Sequence, residues 1–206
     1  ALYLSLAVLG PIAYLISKEG FVFDDPAATT SWIAGNELIV RLGHMAEFGI
    51  IAVEIVLTAL LFFLMKPVSK EWSLVAALAR FGMVGVQAVN LGLGVALVAA
   101  PAAAASLLPA LAGGELAWVA IFGFHLVVLS VLITRSGFLP KWLGWLVGIS
   151  ALGYLAQGLG IMLVPDAAQF LETMVVATAL PGELGLTFWL LIKGVDDDAW
   201  NRKAAH

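Results

Sequence analysis

Long apolar runs follow one another along this chain, each ended by charged residues or by Pro/Gly punctuation. They fall at 1–17, 41–65, 73–99, 116–134, 142–164 and 173–193. A helix needs about 20 apolar residues to cross roughly 30 Å of hydrocarbon, and these runs are of that order. The pattern predicts an all-α polytopic membrane protein, a bundle of six transmembrane helices formed by a single domain over 1–206. The connections differ in character. The first is long and acidic, from Lys18 to Val40, and carries Glu19, Asp24, Asp25 and Glu37. Within it Asp25-Pro26 reads as an N-cap followed by a favourable first helical residue, so a short interfacial helix is expected over Ala27 to Gly35. The Ala-rich stretch Ala99 to Ala105, broken by Pro101, reads as the edge of an outer loop.

Composition sharpens this picture. Hydrophobic residues make up 62% of the chain and charged ones 12%, about half the share in a soluble domain. Mean hydropathy is +1.04. Too few polar groups are present to cover a water-facing surface, so the lipid bilayer is the expected partner of this surface. Ala1 to Ser17 lacks the basic n-region and cleavage site of a signal peptide and reads as a genuine helix. The opening on Ala1 rather than Met predicts that natural N-terminal residues precede it. Cysteine is absent, which excludes disulfides, thiolate metal sites and thiol catalysis. The net charge of −4 comes with no long basic run, so nucleic acid is not an expected partner.

Charge also sets an orientation. Lys66, Lys70, Arg80, Arg135, Lys141, Lys193, Arg202 and Lys203, eight of the ten basic residues, fall on one side of the predicted bundle. The positive-inside bias places that side, with both termini, in the cytoplasm of a bacterium whose plasma membrane the protein spans. Trp72, Trp142 and Trp200 fall where an interfacial aromatic belt is expected. Gly144 and Gly148 form a GxxxG, a mark of close helix packing.

Four stretches carry a resemblance: FDDPAATTSWI (23–33), LMKPVSKEWSLVAALARF (64–81), FGFHLVVLSVLITRSGFLPKWLGWLVGISALGYL (122–155) and ELGLTFWLLIKGV (183–195). Over roughly residues 20 to 195 the chain resembles the bacterial membrane proteins grouped as domain-of-unknown-function family 4386. The resemblance implies a multi-helix bacterial membrane protein and carries over no catalytic residues, so the chemistry has to be read from the side chains.

Ionisable groups inside a spanning helix cost roughly 2.5–3.5 kcal/mol on insertion scales and need a partner or a polar cavity. Counting inward from the outer ends of the predicted spans, Glu47 lies about 9 Å deep, Gln157 about 11 Å, Asn90 and His125 about 14 Å and Glu183 about 15 Å. Gln87 and Glu54 follow at about 18 and 20 Å. His44, Glu47 and Glu54 fall close to one helical face, as do Gln87 and Asn90. The expected ligand-binding layer is therefore Glu47, Asn90, His125, Gln157 and Glu183. Pro181-Gly182 ahead of Glu183 removes a backbone donor and frees the carbonyl of Ala177. Glu54 and Arg80, on consecutive antiparallel helices, are expected to form a structural ion pair.

Each of these residues has a plainer reading. Gln87, Asn90 and Gln157 serve equally as interhelical hydrogen-bonding groups, and His125 as a core histidine. His44 and Arg41 are expected near the outer interface, in contact with solvent or lipid headgroups, and His206 is terminal. HExxH, GxSxG, the P-loop and the Rossmann glycines are all absent, and Gly158-Leu159-Gly160 lies within an apolar helix. A haem held by His44 and His125 is disfavoured by their difference of about 9 Å in depth. No cofactor is assigned. The favoured reading is a non-enzymatic membrane protein whose polar layer binds a small molecule, proton or lipid, alone or as an accessory subunit beside partner membrane proteins. The alternative is a metal-dependent intramembrane enzyme using His125 and Glu183 with Glu47; a purely structural subunit is the third reading.

Overall fold

The structure is a computed structural model that describes residues 2–205, apart from the side chains of residues 3, 7, 11, 12, 14, 15, 17 and 18. Ala1, where the first predicted span begins, and His206 lie outside the described residues. These residues form α1 (Leu2–Lys18), α2 (Pro26–Met65), α3 (Lys70–Ala99), α4 (Ala104–Ser136), α5 (Lys141–Leu163), α6 (Ala168–Ile192) and α7 (Asp197–Ala204), with 3-10 turns at Pro101–Ala103 and Pro165–Ala167 and no strand. Five helices, α2 to α6, are long and apolar enough to cross a membrane. Helix α1 is 17 residues long.

Helix α2 starts where Asp25 caps it, its carboxylate accepting the Ala28 N–H at 2.9 Å, with Pro26 as the first helical residue. The Thr29 hydroxyl holds the preceding loop by accepting from Val22 N at 2.8 Å and donating to Val22 O at 3.0 Å. At Asn36 the backbone leaves helical geometry (φ −134°, ψ 23°), and the Asn36 side chain donates to Trp32 O at 2.9 Å. Residues 26–35 are thus a distinct helical piece joined through a break to the apolar stretch beyond. In α3, Ser69 caps Trp72 N at 3.3 Å.

Ala100 and the 3-10 turn Pro101–Ala103 form the connection where a loop edge was expected, and helix α4 corrects the start of the fourth span, since it begins at Ala104 rather than 116 and carries Pro109 inside it. Alanine favours the helix, and Leu108 and Leu111, fully buried at i and i+3, reward it by packing with Phe21, Ile33, Val40, Leu97 and Val98. That apolar cluster closes one end of the bundle. A larger one at the other end is built from Met65, Met83, Leu129, Leu132, Ile133 and Leu143.

Contacts fix antiparallel neighbours: His44 against Gly94 and Glu54 against Arg80 on α2 and α3, His125 against Ala76 and Gly114 against Asn90 on α3 and α4. Helix α1 packs on α2 and touches α6, so α1 to α6 close a ring, with α4 also reaching α2. The tightest seam is α4 with α5. A Cβ on Gly158 would stand 2.7 Å from Ala120 N, one on Gly123 2.9 Å from Leu155 N, and one on Gly144 2.9 Å from Ser130 O. Only glycine allows that approach.

Left-handed glycines turn the chain at the basic end, Gly137 (φ 78°) after α4 and Gly194 (φ 69°) after α6. The two turns meet where Asp196 N donates to Phe138 O at 3.1 Å. Helix α7 follows, outside every predicted span. Asp196 caps it, and Asp197 and Asp198 in its first turn with Arg202 and Lys203 in its last suit the helix dipole. It is tied across the bundle end by Trp200 Nε1, which donates to Leu64 O at 3.0 Å, and by Lys203 Nζ, which donates to Arg135 O at 2.7 Å.

Candidate functional site

Between the two apolar clusters the ring leaves a cavity of about 460 Å³, within the usual range of small-molecule sites, roughly 300–1,000 Å³. All six helices of the ring line it. Helix α2 brings Glu47 and Glu54, α3 brings Arg80, Gln87 and Asn90, and α6 brings Glu183. The repeat of about 100° per residue explains the choice: 47 and 54, 80 and 87, and 87 and 90 recur on one face of their helices.

At the deep side of the cavity Arg80 Nη2 stands 2.5 Å from Glu54 Oε2, with both side chains almost wholly buried. The His125 Nδ1 lies 2.8 Å from Ala76 O, an acceptor, so Nδ1 carries the proton and Nε2 is left to accept from Arg80 Nη1 at 3.4 Å. Phe122 places its ring 5.6 Å from Arg80 Cζ and stacks between Trp118 and His125, with centroid distances of 5.4 and 5.9 Å. The guanidinium is thus fixed by a carboxylate, an imidazole and a ring face at once.

His125 therefore stands behind Arg80 and outside the cavity lining, only 1% exposed, its two nitrogens engaged with Ala76 O and Arg80. Gln157 is also absent from the lining. Tyr154, one turn earlier on α5, takes that place and donates its hydroxyl to Glu183 Oε1 at 2.6 Å. His44, expected near the outer interface, is 6% exposed and packs on Gly94 of α3. Arg41 is exposed and bonded at 2.7 Å to Glu37, one turn before it. Among the described residues no group of three or more His, Asp or Glu is placed to hold a metal ion. The proposed ligand set of His125, Glu183 and Glu47 is not one such group, because His125 is turned to Ala76 and Arg80.

Several lining residues lie outside the sequence-based set. Glu115 was one residue short of the predicted fourth span; because α4 starts at Ala104, it is a wall residue of the cavity. Trp118, Ser150 and Thr187 join it. Helix α6 runs on through Pro181, and its backbone there is met from α5: the buried Ser150 hydroxyl reaches Thr178 O at 2.9 Å, one residue beyond the carbonyl expected to be free. Gly182 makes room, since a Cβ there would meet Ser150 Oγ and stand 2.7 Å from Leu146 O.

The polar inventory is one-sided. Four glutamates, Glu47, Glu54, Glu115 and Glu183, share the lining with one arginine among the described residues. Gln87 Oε1, Asn90 Oδ1 and Trp118 Nε1 are buried without a hydrogen-bond partner among the described residues. A Cβ on Gly114 would collide with the Asn90 carbonyl, so glycine at 114 is what lets Asn90 occupy its place.

The family described as "Domain of unknown function (DUF4386)" matches residues 1–194 of this chain. A protein of Archaeoglobus fulgidus, whose printed name is "Uncharacterized protein", is similar at 31% identity over 147 residues, which is 71% of this chain and 80% of that relative. Its archaeal source shows that the expected restriction to bacteria is too narrow. No solved structure matches the chain. With the match running through every helix of the ring, the chain belongs to the DUF4386 family.

Proposed function

We propose that this chain is a non-enzymatic integral membrane protein whose interior cavity binds a small molecule. All six ring helices, α1 included, cross the bilayer as one transmembrane domain over 1–206, and residues 26–35 lie along the membrane surface. Seven basic residues gathered at one end, Lys66, Lys70, Arg135, Lys141, Lys193, Arg202 and Lys203, support a cytoplasmic location for both termini in a plasma membrane, whereas Arg80, counted with them from the sequence, is buried in the cavity wall. Single cysteines check this: one at Lys70 should be shielded from an impermeant thiol reagent in intact cells and one at Asp166 labelled, and the reverse pattern would overturn it.

One observation carries the binding reading. A cavity of about 460 Å³, ringed by apolar helices, collects four glutamates, an arginine and two amides. Groups facing hydrocarbon without partners are costly, and a ring filled only with structural hydrogen bonds would leave no space between them. Polar side chains around retained volume fit a site that a ligand completes. A role as accessory subunit to a partner membrane protein is compatible with this reading, since the ligand can be held for another chain.

Glu183 is the residue on which to test it, because Glu183→Gln keeps the shape and removes the charge. Native mass spectrometry of the chain released from nanodiscs should show a retained small molecule on the wild type, with occupancy reduced at least about tenfold in Glu183→Gln (~1.4 kcal/mol) and the thermal midpoint little changed. A bare wild-type chain, or a variant that loses stability while keeping its occupant, would refute the reading.

A further inference from the structure

The cavity also carries a chemical preference. We infer that it selects an uncharged molecule whose polar head both donates and accepts hydrogen bonds, a primary carboxamide being the simplest case. This rests on the binding reading above and names the ligand class of the same site.

Charge gives the first reason. Each acidic or basic side chain of the described lining is engaged within the protein: Glu54 and Arg80 with one another, Glu183 with the Tyr154 hydroxyl, and Glu47 and Glu115 each with a partner. A charged head would enter this low-dielectric space with no counter-charge kept for it. An unmatched buried charge is far more costly than a neutral group that is hydrogen-bonded.

Hydrogen bonding gives the second. Lining residues carry buried atoms of both kinds without a partner among the described residues: Gln87 Oε1 and Asn90 Oδ1 are acceptors, and Trp118 Nε1 is a donor. Arg80 Nε, on a guanidinium already held by Glu54, His125 and Phe122, adds a donor. The fold brings the three uncharged side chains together. Gln87 and Asn90 lie one turn apart on α3, and Gly114 of α4 packs against Asn90. Trp118 stands one turn further along α4, and because the two helices run antiparallel it comes to the level of Gln87. Its ring stacks on Phe122 at a centroid distance of 5.4 Å, which sets the direction of the indole N–H.

A head that only accepts leaves the amide oxygens unmatched, and one that only donates leaves the indole unmatched. A carboxamide answers both, its NH2 donating to the amide oxygens and its carbonyl accepting from Trp118. A hydrogen given to the Glu183 carboxylate is a charge-assisted bond, so the loss expected of Glu183→Gln requires no charge on the ligand. The apolar part of the lining, with Ile50, Val119, Leu126, Val147 and Leu186, suits a hydrocarbon body behind the head.

The test uses the chain in nanodiscs, measured against empty nanodiscs, and four probes of one chain length: decanamide, N,N-dimethyldecanamide, decylamine and decanoate. Decanamide should bind at least about tenfold more tightly than each of the others, since a site built to hydrogen-bond a group rejects the analogue that lacks it. Gln87→Met removes the carbonyl acceptor at nearly constant length and should erase the advantage over the dimethyl compound. Trp118→Phe keeps the stack on Phe122 and should weaken both amides alike. Both variants are checked for an unchanged thermal midpoint, and if either unfolds, the order of the four probes on the wild type still decides. Equal or tighter binding of decylamine or decanoate overturns the uncharged head but leaves the binding reading standing. Equal binding of the dimethyl compound, or wild-type affinity for decanamide in both folded variants, overturns the role of the hydrogen-bonding groups. Binding of none of the four leaves those atoms to water and overturns the inference, and if the native spectrum of the wild type is also bare, the binding reading falls with it.

Discussion

The seam between α4 and α5 and the seam between α1 and α6 close the same ring by opposite means. Along the first, Gly144 and Gly158 of α5 and Gly123 of α4 bring backbone against backbone, and an added methyl at any of them would strike a main-chain atom. Along the second the helices barely touch, and Gly10 faces open space. The difference shows where this fold spends its packing. Without a hydrophobic driving force between helices in lipid, close van der Waals contact has to hold the bundle, and glycines supply it on the α4–α5 side. The α1–α6 side is left loose beside the cavity, which Leu6 and Gly10 of α1 and Leu180 and Leu184 of α6 line.

The ring can be broken most forcefully at Arg80, whose ion pair with Glu54 joins α3 to α2 at the cavity wall. Arg80→Gln leaves Glu54 buried without its cation and should cost about 3–5 kcal/mol, read as a lost or sharply lowered thermal midpoint in detergent. Changing both Glu54 and Arg80 to Gln should cost less than the worse single change, because the surviving group is then neutral. Additive losses would mean that the pair is not coupled. Next in size is Gly158→Val, which forces a side chain onto Ala120 and should cost about 1–3 kcal/mol; an unchanged midpoint would show that α4 and α5 can separate freely.

Much of the fold was legible in the chain, and the reasons differ from element to element. The apolar runs from Lys141 and from Lys70 could be read to within a few residues because charge marks their start at the basic end. The start of α4 could not, since the apolar run was taken to begin only at 116, while the burial of Leu108 and Leu111 that extends the helix back to Ala104 is a tertiary fact. Helix α7 went unread although its Asp196 cap and its charge order are local signals, because a search for apolar runs passes over an eight-residue polar helix.

At the site the distinction is sharper. Polarity inside a span singled out Glu47, Asn90 and Glu183, and the cavity gathers all three. It could not tell which face of α5 or α4 turns inward. Tyr154 therefore went unnoticed beside Gln157, and His125 was grouped with cavity residues although it supports Arg80 from behind. Glu115 was hidden by the misplaced helix start. A hydrophobic helix with one polar residue offers too little periodicity to fix its rotation, and only the neighbouring helices set it.

The smallest expected effect on stability is also the most direct measurement of the central claim, that the loose side of the ring encloses a working cavity. Gly10→Leu projects a side chain into the space beside Leu6 and Ala13 and meets nothing within 4 Å of its Cβ. Its thermal stability should stay within about 0.5 kcal/mol of the wild type, while the small molecule retained in the native mass spectrum should be lost because its volume is taken. A Gly10→Leu chain that keeps its occupant at wild-type levels would contradict the account, for the ligand would then be held somewhere other than the cavity.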